Sequence, residues 1–185
     1  MKIGKVLILG STLLTEKVVD LLKDHYDLIG YVPSKNPTKQ GKINLPEKSL
    51  DTKCDLRLSI QYDRILKNTK NSFNLHTGLL PLYGGTNLLD YTLLNKEKEQ
   101  GLTFHKMTEK LDYGPIISKI SYPVLPNDKV VDLYKRMLLL APTFALSSLK
   151  ILNSLPEEQI NKCIKHVPIL YRRGEFKISK ELQKL

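Results

Sequence analysis

Residues 5–10 read KVLILG, and the segment 11–23 that follows reads STLLTEKVVDLLK. A short apolar run that ends in glycine is typical of a strand that is buried on both faces of a parallel sheet. In the second segment, Leu14, Val18 and Leu22 share one helical face, and charged residues lie between them. A buried strand that leads directly into an amphipathic helix predicts an α/β fold.

The rest of the chain repeats this alternation of strands and helices. Residues 33–53 contain three prolines and no long periodic pattern, so we expect a loop there. Asp128 is the expected N-cap of the longest helix. The order of the elements predicts an open, mostly parallel sheet with helices on both faces. The predicted strands are residues 5–10, 27–32, 55–60, 72–76, 101–107 and 116–124, and the predicted helices begin after Ser11 and cover 87–95 and 129–153.

The chain has 185 residues, which suits a single domain, and its net charge is +10. Such a charge indicates an anionic partner such as a nucleotide, a nucleic acid or a phosphorylated substrate. The lysines are nevertheless scattered, and many have acidic neighbours, as in residues 97–100. A lysine-rich solvated surface is therefore the simpler explanation, and polyanion binding is the alternative.

The compartment is inferred mainly from signals that are absent. Cys54 and Cys163 belong to no CxxC or metal-binding pattern, so we expect reduced thiols. Lys2 and Lys5 precede an apolar stretch, but no small-residue cleavage site follows, so we interpret this stretch as a strand and not a signal peptide. No apolar run approaches the roughly 18 residues of a membrane-spanning helix. We therefore expect a cytoplasmic protein without a membrane partner.

Two polar residues end the fourth predicted strand, in the stretch NLHTGLLPLYGGTN over residues 74–87. Because Asn74 and His76 are two positions apart, their side chains point to the same side of the strand. Ligands bind outside the carboxyl ends of the strands in such sheets, so both side chains are expected to face one crevice. The pair alone is weak evidence, since a lone histidine is more often a partly buried structural residue and asparagine is common at strand ends.

The first strand ends at a second candidate point, formed by Gly10 and Ser11. The further glycines of a dinucleotide-binding fingerprint are absent. We therefore expect no nicotinamide or flavin cofactor there. A turn into a helix, which can lie near a ligand carboxylate or phosphate, is a sufficient explanation.

A third polar residue strengthens the case for Asn74 and His76. Asp112 lies 36 positions after His76 in GLTFHKMTEKLDYGPII, residues 101–117, although an aspartate can also be a simple turn former. Asn74-x-His76, the LLP and glycine-rich loop of residues 79–85, GLTFHKM and LDYGPII together resemble the 10-formyltetrahydrofolate-dependent formyltransferase family. That family includes methionyl-tRNA, glycinamide ribonucleotide and sugar-nucleotide formyltransferases.

The resemblance is most specific between residues 74 and 117, where every hallmark position of the family pattern matches except Gly78, which is serine in the family. It implies a Rossmann-like formyltransferase catalytic domain over residues 1–153 and a short C-terminal extension over residues 154–185. It also implies an enzyme of one-carbon metabolism that transfers a formyl group from 10-formyltetrahydrofolate to an amine.

In formyl transfer an amine attacks the formyl carbon and a tetrahedral oxyanion forms, so the site must stabilise that oxygen and move a proton. The resemblance implies that Asn74 donates to the oxyanion and that His76 donates a hydrogen bond or shuttles the proton. Asp112 is expected to orient and stabilise His76, or to move the proton through water. No metal is implied, and a metal site formed by His76, His105 and Asp112 is the alternative.

The resemblance implies two further sets of residues. The pterin of the donor is expected to bind largely through backbone groups, although Ile65 and Leu66 could equally be core residues. The expected folate-binding residues are Tyr62, Arg64, Ile65, Leu66, Met107, Thr108 and Leu111. The expected acceptor-side loop residues are Gly10, Ser11, Leu80, Pro81, Gly84 and Gly85.

Several departures from the family bear on the acceptor, and residues 33–53 are also shorter than the loop and helix of relatives. The short tail cannot be the C-terminal barrel of methionyl-tRNA formyltransferases, so we do not expect tRNA as a substrate. Leu13 and Leu14 replace the smaller phosphate-binding loop of glycinamide ribonucleotide formyltransferases. Gly84 stands where relatives commonly have arginine or lysine, which indicates a different acceptor or a weaker phosphate contact.

We therefore expect a small anionic acceptor, with an amino-sugar nucleotide preferred. The alternatives are glycinamide ribonucleotide, other amines, hydrolysis of 10-formyltetrahydrofolate, and a non-catalytic folate- or nucleotide-binding relative. The apolar segment VPILY (167–171) of the tail could add a strand, pack on the sheet or form a homodimer.

Overall fold

The computed structural model describes residues 2–37, 39–163 and 166–172. The strands assigned in these ranges are β1 (Lys5–Leu9), β2 (Asp27–Val32), β3 (Leu56–Ile60), β4 (Ser72–His76), β5 (Gly84–Gly85), β6 (Glu99–Lys106), β7 (Ile116–Pro123) and β8 (Leu170–Tyr171). The helices are α1 (Leu13–Leu22), α2 (Leu88–Leu94), α3 (Val130–Ser154) and α4 (Glu157–Lys162).

Six of these strands form one sheet with the order β2-β1-β3-β4-β6-β7. β1 is parallel to β2 and β3, and β3 is parallel to β4. β6 is antiparallel to both of its neighbours, β4 and β7, so it alone runs against the other five strands. The predicted open, mostly parallel sheet is therefore confirmed, and each predicted strand coincides closely with an observed one.

One face of the sheet packs against helices. Side chains alternate along a strand, so every second residue of β1, β3, β4 and β6 joins the same buried cluster. Val6, Ile8 and Phe73 belong to it, together with Leu14 of α1 and Met137 of α3. This cluster is the main hydrophobic core.

The other face is covered differently. Its smaller cluster contains Leu7, Leu9, Val32 and Leu66, and partly buried residues from the loops before and after β3 pack against it. The prediction placed helices on both faces. Within the described residues, α1 and α3 contribute to the first cluster, and no helical residue contributes to this second one. Loops and turns therefore cover the second cluster, and such segments can carry functional groups.

The prediction that Asp128 caps the longest helix was wrong. The N-cap of α3 is Lys129, whose N–H donates to the Asp132 carboxylate at 3.0 Å. Asp128 instead accepts from the N–H of Leu125 at 2.6 Å and from the Arg136 guanidinium at 2.7 Å. It closes the turn before the helix, which is why it resembles a cap in the sequence.

By length and composition alone, α3 is apolar enough to cross a membrane. In the structure its buried stripe, which includes Leu133, Met137, Ala141 and Leu149, packs in the main core. A core helix of this kind meets the same criterion as a membrane-spanning helix. The expected absence of a membrane partner stays a prediction.

The tail adds a strand, as one of the three options for residues 167–171 predicted. β8 is parallel to β5, and Leu170 pairs with Gly84 in the loop after β4. The ring of Tyr171 stacks on Tyr83 at 5.2 Å and lies 4.3 Å from the ring of Tyr91. The predicted domain boundary after residue 153 stays a prediction, but the segment beyond it contacts the first part of the chain.

Candidate active site

Asn74 and His76 lie on the face of the sheet that no described helix covers. Their neighbours in β4, Phe73 and Leu75, belong to the main core, so alternation turns the two polar side chains to the opposite face. His105 pairs with Asn74 across β4 and β6 and therefore shares that face. Nδ2 of Asn74 lies 3.2 Å from Nε2 of His105.

Asp112 reaches the same face from the turn between β6 and β7. Its Oδ1 lies 3.6 Å from Nδ1 of His76 and 3.5 Å from Nε2 of His105. Its Oδ2 accepts a hydrogen bond of 2.7 Å from the N–H of Gly85. His76 and Asp112 are each only 5% exposed, and His105 is 2% exposed. Three residues that are distant in the sequence thus form one buried polar cluster beside Asn74.

Backbone carbonyls identify the tautomers of both histidines. A carbonyl oxygen only accepts, so Nε2 of His76, which lies 2.7 Å from the carbonyl of Tyr83, carries a hydrogen. Nδ1 of His105 lies 3.0 Å from the carbonyl of the next residue, so it carries the hydrogen and Nε2 accepts from the Asn74 amide. In the neutral ring of His76, Nδ1 is therefore the basic atom, and it faces Asp112.

Burial sets the charges of this pair. Burial lowers the pKa of His76 below its usual value, and the negative charge of Asp112 offsets only part of the effect. Burial alone would raise the pKa of Asp112, but His76 and the N–H of Gly85 are among the groups that hold that pKa at about 2. At neutral pH the cluster therefore contains a neutral His76 beside an ionised Asp112. This pair can accept a proton, because the carboxylate stabilises the imidazolium.

The loop after β4 returns to cover the cluster. Leu80, predicted on the acceptor side, is buried, and its N–H donates to Oγ1 of Thr103 at 3.1 Å. The peptide bond between Leu80 and Pro81 is cis. The loop then presents the carbonyl of Tyr83 to His76 and the N–H of Gly85 to the carboxylate. Leu80 and Pro81 thus shape the path of the loop.

Gly84 and Gly85 lie against the tail. A Cβ atom at Gly84 would lie 2.9 Å from Cδ2 of Leu170 and 3.0 Å from Cβ of Pro168. Gly85 has φ 89°, and a Cβ atom there would lie 2.0 Å from the carbonyl oxygen of Tyr171. The tail therefore occupies the space that an arginine or lysine side chain needs at position 84.

His166 also contacts the site, although nothing in the sequence predicted it. Its Nε2 lies 2.7 Å from the carbonyl of Asp112, so it donates a hydrogen bond to the backbone of a predicted catalytic residue. The tail around His166 has no periodic pattern or motif, and its only signal was the apolar segment that follows. Thr103 was also missed, because a threonine that alternates within a strand is an ordinary strand residue.

The predicted folate-binding residues fall into a buried and an exposed group. Tyr62, Leu66 and Met107 pack together in the second cluster. Ile65 is 76% exposed and Leu111 is 48% exposed, so both present apolar surface to solvent. The sequence left open whether Ile65 and Leu66 are core residues. In the structure Leu66 is a core residue and Ile65 is not.

Polar atoms in the same region lack partners. Nη2 of Arg64 donates to the carbonyl of Pro33 at 2.9 Å, and its guanidinium lies 4.8 Å from the ring of Tyr62. Thr108 bonds within its own turn, to the carbonyl of Lys110. Within the described residues, Oη of Tyr62 and Nε of Arg64 are buried without a hydrogen-bond partner. A polar ring system bound nearby could satisfy such atoms, so this region fits the pterin that the resemblance implies.

Gly10 and Ser11 form the turn from β1 into α1, as predicted. The Ser11 hydroxyl accepts from the N–H of Ser34 at 3.2 Å. Gly10 has φ 129°, and a Cβ atom there would lie 2.2 Å from the carbonyl oxygen of Ile60. Ser11 thus contacts the segment after β2, and Gly10 lies against the end of β3; the acceptor-side role of both residues stays a prediction.

A cavity of about 870 Å³ lies close to the motif. Gln61 and Thr77, which directly follow β3 and β4, line it, and so do residues of α2 and the start of α3. Its lysines are Lys39, Lys96, Lys98 and Lys129, and its acids are Asp90, Glu97 and Asp128. None of the six predicted acceptor-side residues lines this cavity.

The polar cluster also has the composition of a metal site. One ligand atom from each of His76, His105 and Asp112 lies within 4.8 Å of the others. Nitrogen and carboxylate ligands of this kind suit zinc. Nε2 of His105 already accepts a hydrogen bond from Asn74, which competes with metal binding. The expected metal-free site stays a prediction.

Known proteins share this sequence pattern. The family profile described as formyl transferase matches residues 36–148, more than half of the chain. The chain belongs to the formyl transferase family. The bifunctional polymyxin resistance protein ArnA of Wigglesworthia glossinidia brevipalpis is 40% identical over 91 residues, and methionyl-tRNA formyltransferase of Streptococcus pyogenes is 32% identical over 85 residues. Both alignments cover 46% of this family member but only 14% and 27% of the two relatives.

Solved structures of formyltransferases share its fold. The N-formyltransferase from Helicobacter canadensis, in complex with folinic acid and dTDP-3-aminofucose, has a TM-score of 0.78 and 25% identity, and the match covers 95% of this chain and 73% of that one. The sugar 3N-formyl transferase WlaRD, solved with dTDP and 5-N-formyl-THF, has a TM-score of 0.77 and 23% identity. That match covers 96% of this chain and 72% of WlaRD. Phosphoribosylglycinamide formyltransferase from Bacillus halodurans has a TM-score of 0.70 and 18% identity, and the match covers 82% of this chain and 96% of that one.

Proposed function

We propose that this family member transfers a formyl group from 10-formyltetrahydrofolate to the amine of an amino-sugar nucleotide. The observation that carries the proposal is the buried contact between Asp112 and His76, with the Asn74 amide on the same face of the sheet. A binding module needs no neutral base that is held beside an ionised carboxylate. The enzyme is proposed to act in the cytoplasm, in one-carbon metabolism.

The reaction joins the acceptor nitrogen to the formyl carbon and breaks the bond from that carbon to N10 of the folate. One proton leaves the amine, and one proton arrives at N10, so the transfer is balanced. When bound, 10-formyltetrahydrofolate supplies the formyl group, and the protein supplies a proton acceptor and a hydrogen-bond donor.

The proton acceptor is Nδ1 of His76, which is unprotonated in the neutral ring and lies 3.6 Å from the Asp112 carboxylate. Asp112 stabilises the ring when it takes up the amine proton. Nδ2 of Asn74 has two hydrogens. One is used on His105, and the other is free to bind the formyl oxygen as that oxygen gains negative charge.

The cavity beside the motif supports an anionic acceptor. Four lysines and three acids line it, and one of these acids, Asp128, is paired with Arg136. Thr77 connects the wall of the cavity directly to His76. Lysine side chains are suited to bind the phosphates of a nucleotide as point charges. The Helicobacter canadensis relative was solved with a dTDP-amino sugar and folinic acid, which supports the same pair of ligand classes here. Likeness to phosphoribosylglycinamide and methionyl-tRNA formyltransferases keeps other amines as the alternatives.

The test is release of tetrahydrofolate from 10-formyltetrahydrofolate, followed by absorbance. The purified protein is assayed with a panel of amino-sugar nucleotides, with glycinamide ribonucleotide, and with no acceptor. We expect release that depends on an amino-sugar nucleotide. Release with glycinamide ribonucleotide alone, release without any acceptor, or no release would each overturn the proposal, in favour of the purine-type enzyme, the hydrolase and the binding protein respectively.

A pair of matched variants links the activity to the site. His76→Asn removes the proposed base, and we expect it to abolish release. His25→Asn makes the same change at an exposed histidine that lies outside the cluster, and we expect wild-type rates. Equal activities of the two variants would refute the assignment of His76.

A further inference from the structure

Asp112 has an unusual backbone. Its φ is 58°, in the left-handed region that few residues other than glycine adopt, although aspartate adopts it more readily than most. The carboxylate must stay 3.6 Å from His76 if it is to stabilise the protonated ring. A contact that holds the backbone of Asp112 in this conformation therefore also holds its carboxylate in place.

His166 provides that contact. Its Nε2 donates a hydrogen bond of 2.7 Å to the carbonyl of Asp112, and this bond assigns the hydrogen of the neutral ring to Nε2. Its Nδ1 is buried and has no partner among the described residues. Burying an unpaired ring nitrogen costs free energy, so the ring is placed here at the expense of stability. This pattern is typical of functional positions.

The tail that carries His166 is anchored on the site loop by backbone hydrogen bonds. The N–H of Ile169 donates to Pro81, the N–H of Gly84 donates to Ile169, and the N–H of Thr86 donates to Tyr171, each at 2.9 Å. The same short segment therefore fixes both the backbone of Asp112 and the loop whose carbonyl and N–H contact the catalytic pair. Glycines at positions 84 and 85 give it the space to do so.

We propose that His166 is a positioning residue for formyl transfer, which holds the Asp112 carbonyl so that the carboxylate stays beside His76. This inference rests on the proposed function. His166 touches neither of the expected ligands in this role. It acts through Asp112, so its loss should slow the chemical step and leave substrate binding largely intact.

Three substitutions distinguish the hydrogen bond that His166 donates from the packing of its ring. His166→Phe keeps a flat ring without the donor, His166→Gln places an N–H near the same point, and Val167→Ala is a control at the exposed neighbouring residue. We expect kcat to fall about tenfold or more in the Phe variant with KM nearly unchanged, because small misplacements of catalytic groups are costly. The Gln variant should recover most of the rate, and the control should match the wild type.

An activity-independent measurement completes the test. Imidazole nitrogen spectra of the full-length protein report the tautomer and protonation of His76 in each variant. We expect His166→Phe to shift the His76 signals and His166→Gln to leave them near their wild-type positions. If the wild type transfers no formyl group, the proposed function fails, while these spectra still decide the positioning role.

Two outcomes would overturn the inference. One is a Phe variant with wild-type kcat and unchanged His76 signals. The other is an equal loss of rate and thermal stability in the Phe and Gln variants, since that result assigns His166 to packing.

Discussion

In the proposed mechanism the amide of Asn74 performs two tasks with one nitrogen. One hydrogen of Nδ2 binds Nε2 of His105, which fixes the tautomer of that ring, and the other is available for the formyl oxygen. A carboxylate of the same shape has no hydrogen for either task. At the residue scale, the site therefore depends on the chemical identity of this side chain, and its size is secondary.

Asn74→Asp tests this dependence. We expect kcat to fall by about 10²–10³-fold, the typical cost of removing one oxyanion donor. The new carboxylate would also lie near Asp112, so like charges would repel. Rates are measured by tetrahydrofolate release, with thermal unfolding as the control for folding. A rate within threefold of the wild type would show that Asn74 does not stabilise the oxyanion.

The pH profile follows from the charge state of His76. In the proposed mechanism transfer needs the neutral ring of His76, and burial lowers the pKa of this ring below the usual 6.5. Activity is therefore present above that lowered pKa and is lost as the pH falls through it. We expect the acidic limb of kcat/KM to have its midpoint below pH 6.5, and His25→Asn should leave it unchanged. A midpoint above 6.5 would contradict the burial effect.

At the scale of elements, the strands were predictable and the covering segments were not. β1 is an apolar run because both of its faces are buried, whereas apolar and polar residues alternate in β3 and β4, and both patterns are visible in the sequence. The second face is covered by irregular loops, whose few apolar residues have no period. Pairing of β8 with β5 joins two dipeptides that are 86 positions apart, and no local pattern encodes such a contact.

Gly85→Ala tests the fit between the two short strands. Gly85 has φ 89°, and a Cβ atom would meet the carbonyl of Tyr171. We expect a loss of at least about 1 kcal/mol in the free energy of unfolding, because alanine at positive φ is strained. The measurement is urea unfolding. Gly4→Ala is the matched control with a smaller expected loss, since its nearest atom belongs to the Asp55 side chain. Equal losses would contradict the tight packing of the tail.

At the scale of the whole molecule, Asn74, His76 and Asp112 were predictable as a candidate site because they lie in sequence motifs. Asn74 and His76 share one strand, and Asp112 lies in a turn with its own glycine and proline. The structure brings Asp112 to 3.6 Å from His76, while the roles of the three residues stay predictions. His166 was not predictable, because it is 54 positions from Asp112 and meets it only through the complete fold.

Metal removal distinguishes an acid–base role of the buried cluster from a role as a metal site. If His76 acts as a base, prolonged treatment with EDTA and an EDTA-free assay should leave the rate unchanged. A catalytic zinc ion on His76, His105 and Asp112 would instead make the rate depend on added metal. Loss of activity on chelation that zinc restores would replace the acid–base mechanism by a metal-assisted one.

The pairing of β8 with β5 also orders events during synthesis. Residues 5–123, which supply the main sheet, leave the ribosome before residues 166–172, and nascent domains fold as their segments emerge. Asn74, His76 and Asp112 can thus meet before the strand that pairs with their surrounding loop has been synthesised. A nascent chain that lacks residues 166–172 would have the strands of the main sheet without the hydrogen bonds that hold the loop around these three residues. We therefore expect this candidate site to reach its final structure after the sheet has formed.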